Sequence, residues 1–80
     1  MASLSLIGSR LKEIRGSLSQ AVFARYLNVS QGTVGRYERD LRSPDAEYIL
    51  LLKKHFNINP NWLVSGEGLR LLPNGLDDPI

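Results

Sequence analysis

Five positions near the middle of the chain are expected to face outward, where their groups could meet a polar surface. They are Gln31, Gly32, Thr33, Gly35 and Arg36. Glutamine offers an amide donor and acceptor, threonine a hydroxyl and arginine a rigid fork of N–H donors, whereas glycine adds no side chain. This set supports hydrogen bonding to a polar surface, without making or breaking a covalent bond.

No catalytic or metal-binding arrangement competes with that interpretation. The chain has no cysteine and one histidine, so neither a disulfide framework nor a thiolate or histidine metal site can be built. We expect that histidine, His55, to lie on the surface, and Asp45 and Glu47 to stabilise the start of a helix through its dipole. We see no nucleophile–base pair and expect no cofactor and no small-molecule ligand.

The five positions belong to the second of two short amphipathic helices joined by a tight corner. Ser19 is a good N-cap for the first helix and Ser30 for the second. Asn28 at the corner tolerates the left-handed conformation that such a turn requires. The residues expected to face the core are Phe23, Ala24, Leu27, Val34 and Tyr37.

Three further helices are expected around this pair. Their predicted bounds are Ser5 to Arg15, Ser43 to about Phe56, and Asn59 to Gly66. In the fourth helix Ser43 is the predicted N-cap and Pro44 the first helical residue. The core residues expected from the fourth helix are Tyr48, Ile49, Leu52 and Phe56, and the apolar anchors of the fifth are Trp62 and Leu63, of which Trp62 is expected to be buried. The pattern predicts one compact all-α domain of five helices.

Positive charge is concentrated in the half of the chain that holds the two short helices. Residues 10–42 contain seven basic and three acidic side chains, against three and five in residues 43–80. A basic surface favours a phosphate backbone, although a run of charge is more often a solvated face. The first residues lack the features of a signal peptide and no segment is long enough to span a membrane, so we expect a cytoplasmic protein.

Three stretches of the sequence together resemble the phage-repressor helix-turn-helix family, which includes lambda-type repressors and Cro proteins. They are L-S-Q-A-x-F-A-x-x-L, V-S-x-x-T-V-x-R-Y-E and N-P-N-W-L-x-S-G-E-G. The resemblance covers roughly residues 6–68 and implies a five-helix, lambda-repressor-like domain that reads the major groove of double-stranded DNA. We therefore assign residues 1–68 to this DNA-binding domain.

The resemblance also implies roles for individual residues. Gln31, Gly32, Thr33 and Arg36 match the family positions that face base edges, where glutamine pairs with adenine and arginine with guanine. The expected phosphate contacts are Ser19, Gln20, Ser30, Arg39, Arg42 and Ser43. Arg15 and Glu38 match a family ion pair that we interpret as structural.

Some positions depart from the family pattern. Asn28 and Asp40 stand where glycine is usual, and Asp40 would bring negative charge close to phosphates. Gly32 and Gly35 each cost up to about 1 kcal/mol of helix propensity relative to alanine. Either these glycines let the helix sit deep in a groove, or the helix orders fully only on DNA.

Several leucines exceed what the core requires. Leu50, Leu51, Val64, Leu69, Leu71 and Leu72 form this group. One interpretation is a dimer surface; the other is that residues 69–80 fold back and cover these side chains. Residues 69–80 are thus a tail, a linker or a dimerisation segment. The resemblance favours a homodimer with recognition helices about 34 Å apart on a pseudo-palindromic site.

These observations predict a sequence-specific DNA-binding regulator, of the phage or prophage repressor type, and not an enzyme. Two alternatives stay open. The chain could be the DNA-targeting module of a longer self-cleaving repressor, or an antitoxin-like or adaptor-like helix-turn-helix that binds another protein.

Overall fold

The computed structural model describes residues 5–73, which form five helices. They are α1 (Ser5–Arg15), α2 (Gln20–Leu27), α3 (Gln31–Glu38), α4 (Ala46–Phe56) and α5 (Pro60–Ser65). The predicted all-α, five-helix class is confirmed. Most of the predicted tail, residues 74–80, lies outside the described residues.

The corner between α2 and α3 follows the local chemistry of its residues. Ser19 Oγ accepts a hydrogen bond from the Val22 N–H at 3.1 Å, and Ser30 Oγ accepts one from the Thr33 N–H at 3.1 Å. Asn28 ends α2 in the left-handed conformation, with φ of 56°. These contacts satisfy main-chain groups that a helix end leaves free, so both predicted caps and the predicted turn are confirmed.

The predicted start of α4 was wrong. The N-cap is Asp45, whose Oδ1 accepts from the Tyr48 N–H at 2.9 Å, and the helix begins at Ala46. Ser43 and Pro44 instead precede the helix. The carboxylate of Asp45 is the stronger cap because its charge also interacts favourably with the positive end of the helix dipole.

A single core lies where the five helices meet. Its buried apolar residues are Leu11, Phe23, Ala24, Leu27, Val34, Tyr37, Tyr48, Leu52, Ile58 and Leu63. The predicted burial of Trp62 was wrong, since Trp62 is half-buried against the edge of this core and Leu63 is fully buried. A helix as short as α5 turns few residues inward, and the next residue lies about 100° away from an inward one. Ile49 and Phe56 are also half-buried.

The segment after α5 lies in extended form beside the connection between α4 and α5. The Asn59 N–H donates to the Arg70 carbonyl at 2.8 Å, and the Leu72 N–H donates to the Asn57 carbonyl at 2.9 Å. This packing leaves much of the excess apolar surface uncovered within the described residues. Leu50, Val64 and Leu69 are 62%, 52% and 72% exposed.

Candidate DNA interface

Helix α3 presents one polar face outward while its other face holds it in the core. Val34 and Tyr37 are buried, and the predicted base readers Gln31, Gly32 and Arg36 are exposed. Thr33 is half-buried, and its Oγ1 lies 2.9 Å from Ser30 Oγ in a shared hydrogen bond. Three of the four predicted base readers are therefore exposed, and Thr33 is held at the helix start.

Two arginines of this region lie back over the two glycines of α3. Arg36 Nη1 is 3.4 Å from the point where a Cβ would stand on Gly32, and Arg39 Nη1 is 3.5 Å from the same point on Gly35. Each arginine comes four residues after its glycine, which places the two on one helix face. The Arg36 guanidinium group thus lies beside the exposed Gly32, and that of Arg39 beside the buried Gly35.

The predicted phosphate contacts surround α3 at both ends. Ser19 and Ser30 are exposed at the starts of α2 and α3, and Arg39, Arg42 and Ser43 are exposed after the end of α3. Gln20 differs because it is half-buried and its Nε2 donates to Glu38 Oε1 at 3.0 Å. The exposed arginines and helix starts give this side of the molecule groups that bind anions.

Arg15 and Glu38 form a largely buried ion pair behind α3, as predicted for a structural pair. Arg15 Nε and Nη2 donate to the two carboxylate oxygens of Glu38 at 2.7 and 2.9 Å. The Glu38 side chain is 1% exposed and that of Arg15 20%. The hydrogen bond with Glu38 raises the pKa of Arg15 above its ordinary value, and the pair ties α1 to the end of α3.

The carboxylate of Asp40 makes a hydrogen bond within the fold, although Asp40 lies next to exposed basic residues. Asp40 adopts the left-handed conformation expected of it, with φ of 60°, and its Oδ1 accepts from the Gly8 N–H at 3.0 Å. Gly8 belongs to the first turn of α1, where a carboxylate is stabilised by the helix dipole. The negative charge at this position therefore has a structural partner inside the fold.

One basic residue of the amino-terminal half, Arg10, was not singled out from the sequence. Its Nε donates to the Leu63 carbonyl at 2.7 Å and its Nη2 to the Val64 carbonyl at 3.1 Å. Arg10 is buried and holds the end of α5 against α1. Among the seven basic residues counted in that half, Arg10 and Arg15 thus serve the fold. The exposed positive charge comes from Lys12, Arg25, Arg36, Arg39 and Arg42.

Residues 5–73 contain neither a cluster of metal ligands nor a membrane-spanning helix. No group of three or more His, Cys, Asp and Glu side chains is placed to hold a metal ion there. Within the same residues, no helix combines the length and apolar character needed to cross a bilayer. His55 is exposed, as expected.

The arrangement of α2 and α3 agrees with the family to which the sequence belongs. Residues 11–63 match the protein family described as Helix-turn-helix. This match covers well over half of the chain and contains both short helices and their corner. The chain belongs to this helix-turn-helix family, as the resemblance predicted.

A curated transcriptional regulator is similar to this chain. The HTH-type transcriptional regulator ImmR of Bacillus subtilis (strain 168) is 35% identical over 60 residues, which are 72% of this chain and 47% of ImmR. The chain therefore spans about half the length of that curated relative.

Solved structures share the fold. The P22 c2 repressor in complex with the synthetic operator 9T has a TM-score of 0.68 and 28% identity, covering 76% of this chain and 96% of that one. The restriction-modification controller protein C.AhdI of Aeromonas hydrophila has a TM-score of 0.67 and 34% identity, covering 79% and 98%. The lambda-repressor-like fold is thus confirmed.

Proposed function

We propose that the chain is a sequence-specific regulator of transcription that binds double-stranded DNA, and that it acts as a phage- or prophage-type repressor by occupying an operator. The observation that carries this proposal is the outward face of α3, where Gln31, Gly32 and Arg36 are exposed beside the basic residues that follow the helix. The P22 c2 repressor, which shares this fold, has been solved on a synthetic operator.

We infer that α3 enters the major groove with Arg36 as its main base reader. An arginine fork matches the two acceptors of guanine, and the amide of Gln31 matches adenine. Gly32 lets the helix surface approach the base edges closely, and the Thr33 hydroxyl is available to a base or to the neighbouring phosphate. All of these contacts are noncovalent and come from the side chains and main chain of the domain itself.

The groups around α3 position the domain on the backbone. Ser19 and Ser30 bring free main-chain N–H groups at two helix starts, which attract a phosphate. Arg39, Arg42 and Ser43 contact the backbone beyond the other end of α3, and the second amide N–H of Gln20 stays available to a phosphate. These contacts contribute affinity without carrying sequence information.

The exposed apolar residues favour a homodimer on a pseudo-palindromic site. Leu69 and Leu71 are exposed on the extended segment after α5, and Val64 is exposed on α5 itself. A second copy covering such residues would place two recognition helices about one turn of DNA apart. A cytoplasmic location follows from this role.

Two other functions have an observation in their favour. The chain spans 47% of ImmR, which favours a DNA-targeting module within a longer protein, including a self-cleaving repressor. The exposed leucines favour an antitoxin-like or adaptor-like partner surface instead. Strong binding to a partner protein, with no salt-dependent affinity for DNA, would support the adaptor.

The proposal is tested by two arginine variants on a duplex selected from a randomised pool. Arg36→Ala should cost about 1–3 kcal/mol and relax the preference at one base pair. Arg42→Ala should weaken binding to all duplexes alike and reduce the salt dependence, because it removes a phosphate contact. Equal losses at both positions, without regard to sequence, would contradict the assignment of Arg36.

A further inference from the structure

Gln20 links the exposed start of α2 to the buried end of α3. Its Nε2 donates to Glu38 Oε1 at 3.0 Å, on the same carboxylate that Arg15 binds. An ionised carboxylate only accepts hydrogen bonds, so the amide nitrogen of Gln20 must face Glu38. The amide oxygen then lies over α3, 3.6 Å from the point where a Cβ would stand on Gly35.

Gly35 makes this polar link important for the placement of α3. Gly35 is buried but has no side chain that could interlock with α2. Helices normally fix their relative rotation through such interlocking side chains. The amide of Gln20 and the guanidinium group of Arg39 occupy the space beside Gly35. Of the two, Gln20 comes from α2, and its hydrogen bond to Glu38 replaces the missing steric contact.

We propose that Gln20 is a positioning residue, which acts through Glu38 to fix the rotation of α3 against α2. The inference rests on the proposed function, because the rotation of α3 is detected through the placement of Arg36 in the major groove of DNA. Arg36 lies between Gly35 and Glu38 in the chain and on the exposed face of α3. A small rotation of α3 would move the Arg36 guanidinium group out of line with a base edge. The positive charge around α3 would still lie close to the DNA backbone.

This role differs measurably from a phosphate contact made by Gln20 alone. A lost phosphate contact weakens operator and unrelated DNA by the same factor, whereas a misplaced reading helix weakens the operator more. Gln20→Met keeps the length of the side chain and removes its hydrogen bond to Glu38. Ser19→Ala is the matched control, because Ser19 lies at the same helix end and its Oγ bonds only within α2.

We expect Gln20→Met to lose about tenfold in operator affinity and less than about threefold for an unrelated duplex, the size of one hydrogen bond to a charged group. In a Glu38→Gln background, Gln20→Met should change the ratio of operator affinity to unrelated-duplex affinity little, because residue 38, the hydrogen-bond partner of Gln20, is already altered. Ser19→Ala should lower both affinities equally. Equal losses in Gln20→Met, or no loss, would overturn the proposal.

Amide spectra of the free protein give a second test that needs no DNA. Gln20→Met should shift the main-chain resonances of residues 35–39, whereas Ser19→Ala should leave them in place. Unchanged resonances in Gln20→Met would also overturn the proposal. If the unaltered protein shows no preference for any duplex, the proposed function fails, and these spectra alone decide whether Gln20 holds α3.

Discussion

Gly8 and Asp40 join the first turn of α1 to the residues that follow α3. The Gly8 N–H donates to Asp40 Oδ1 at 3.0 Å across 32 residues of sequence. There is no room for a side chain at Gly8, because a Cβ would overlap the Glu38 carbonyl oxygen and stand 2.6 Å from Asp40 Oδ2. The close approach of α1 therefore fixes the end of α3 from behind.

Gly8→Ala should destabilise the fold. The added methyl group forces main-chain atoms apart, and such overpacking costs about 1–3 kcal/mol of the free energy of unfolding. Gly35→Ala is the control, since its Cβ would make ordinary contacts at 3.5 and 3.6 Å. Urea unfolding of the two variants should show a loss for Gly8→Ala and no loss for Gly35→Ala. A Gly8→Ala protein as stable as the original would contradict the described approach of α1.

Tyr48→Phe should stabilise the protein. The Tyr48 hydroxyl is buried and has no hydrogen-bond partner among residues 5–73. Removing an unsatisfied buried polar group recovers its desolvation cost, which is about 1–3 kcal/mol. Thermal unfolding near neutral pH measures the gain. A loss of stability on this substitution would mean that the hydroxyl has a partner in solution.

The same residue makes the stability of the fold sensitive to alkaline pH. Burial raises the pKa of Tyr48 above its ordinary value, and the nearby charge of Glu38 raises it further. Above about pH 10 the unfolded tyrosine loses its proton while the folded one keeps it, so stability falls as the pH rises. Below that pH this contribution is constant. Unfolding measured between neutral and strongly alkaline pH should show a shallower decline for Tyr48→Phe, and identical declines would contradict the burial of this group.

Gly32→Ala should separate the stability of the fold from binding. A Cβ at Gly32 has ordinary space, with Arg36 Nη1 at 3.4 Å, so the free protein should gain up to about 1 kcal/mol from helix propensity. Operator affinity should fall, because the added methyl group stands on the face of α3 that we propose enters the groove. Melting temperature and operator affinity of one purified variant check both effects. Unchanged affinity would show that the bare surface of Gly32 is not needed in the groove.

Local signals in the sequence predicted most of the fold. Ser19, Ser30 and Asn59 carry the capping side chains expected of them, and Asn28 and Gly66 end helices in the left-handed conformation. Each of these features depends on residues a few positions apart, which spacing reveals. The start of α4 was misplaced because Ser43 and Asp45 both resemble caps, and the choice between them depends on charge at the helix end.

Contacts between distant residues were harder to predict. Arg10 reaches carbonyl groups 53 and 54 residues away, and Gln20 reaches Glu38 across 18 residues. Neither contact leaves a periodic signal, because both depend on how the helices pack. A hint for Arg10 is its place on the apolar side of α1, next to Leu11. The pair Arg15 and Glu38 was predicted only through the family resemblance.

Selection of bound sequences from a randomised duplex pool tests the central claim most directly. The recovered duplexes are then titrated with the protein at several salt concentrations, which separates base reading from phosphate binding. Our account predicts an enriched palindromic site whose advantage over unrelated DNA persists as salt rises. Recovery of no motif, with weak binding that disappears at higher salt, would contradict it.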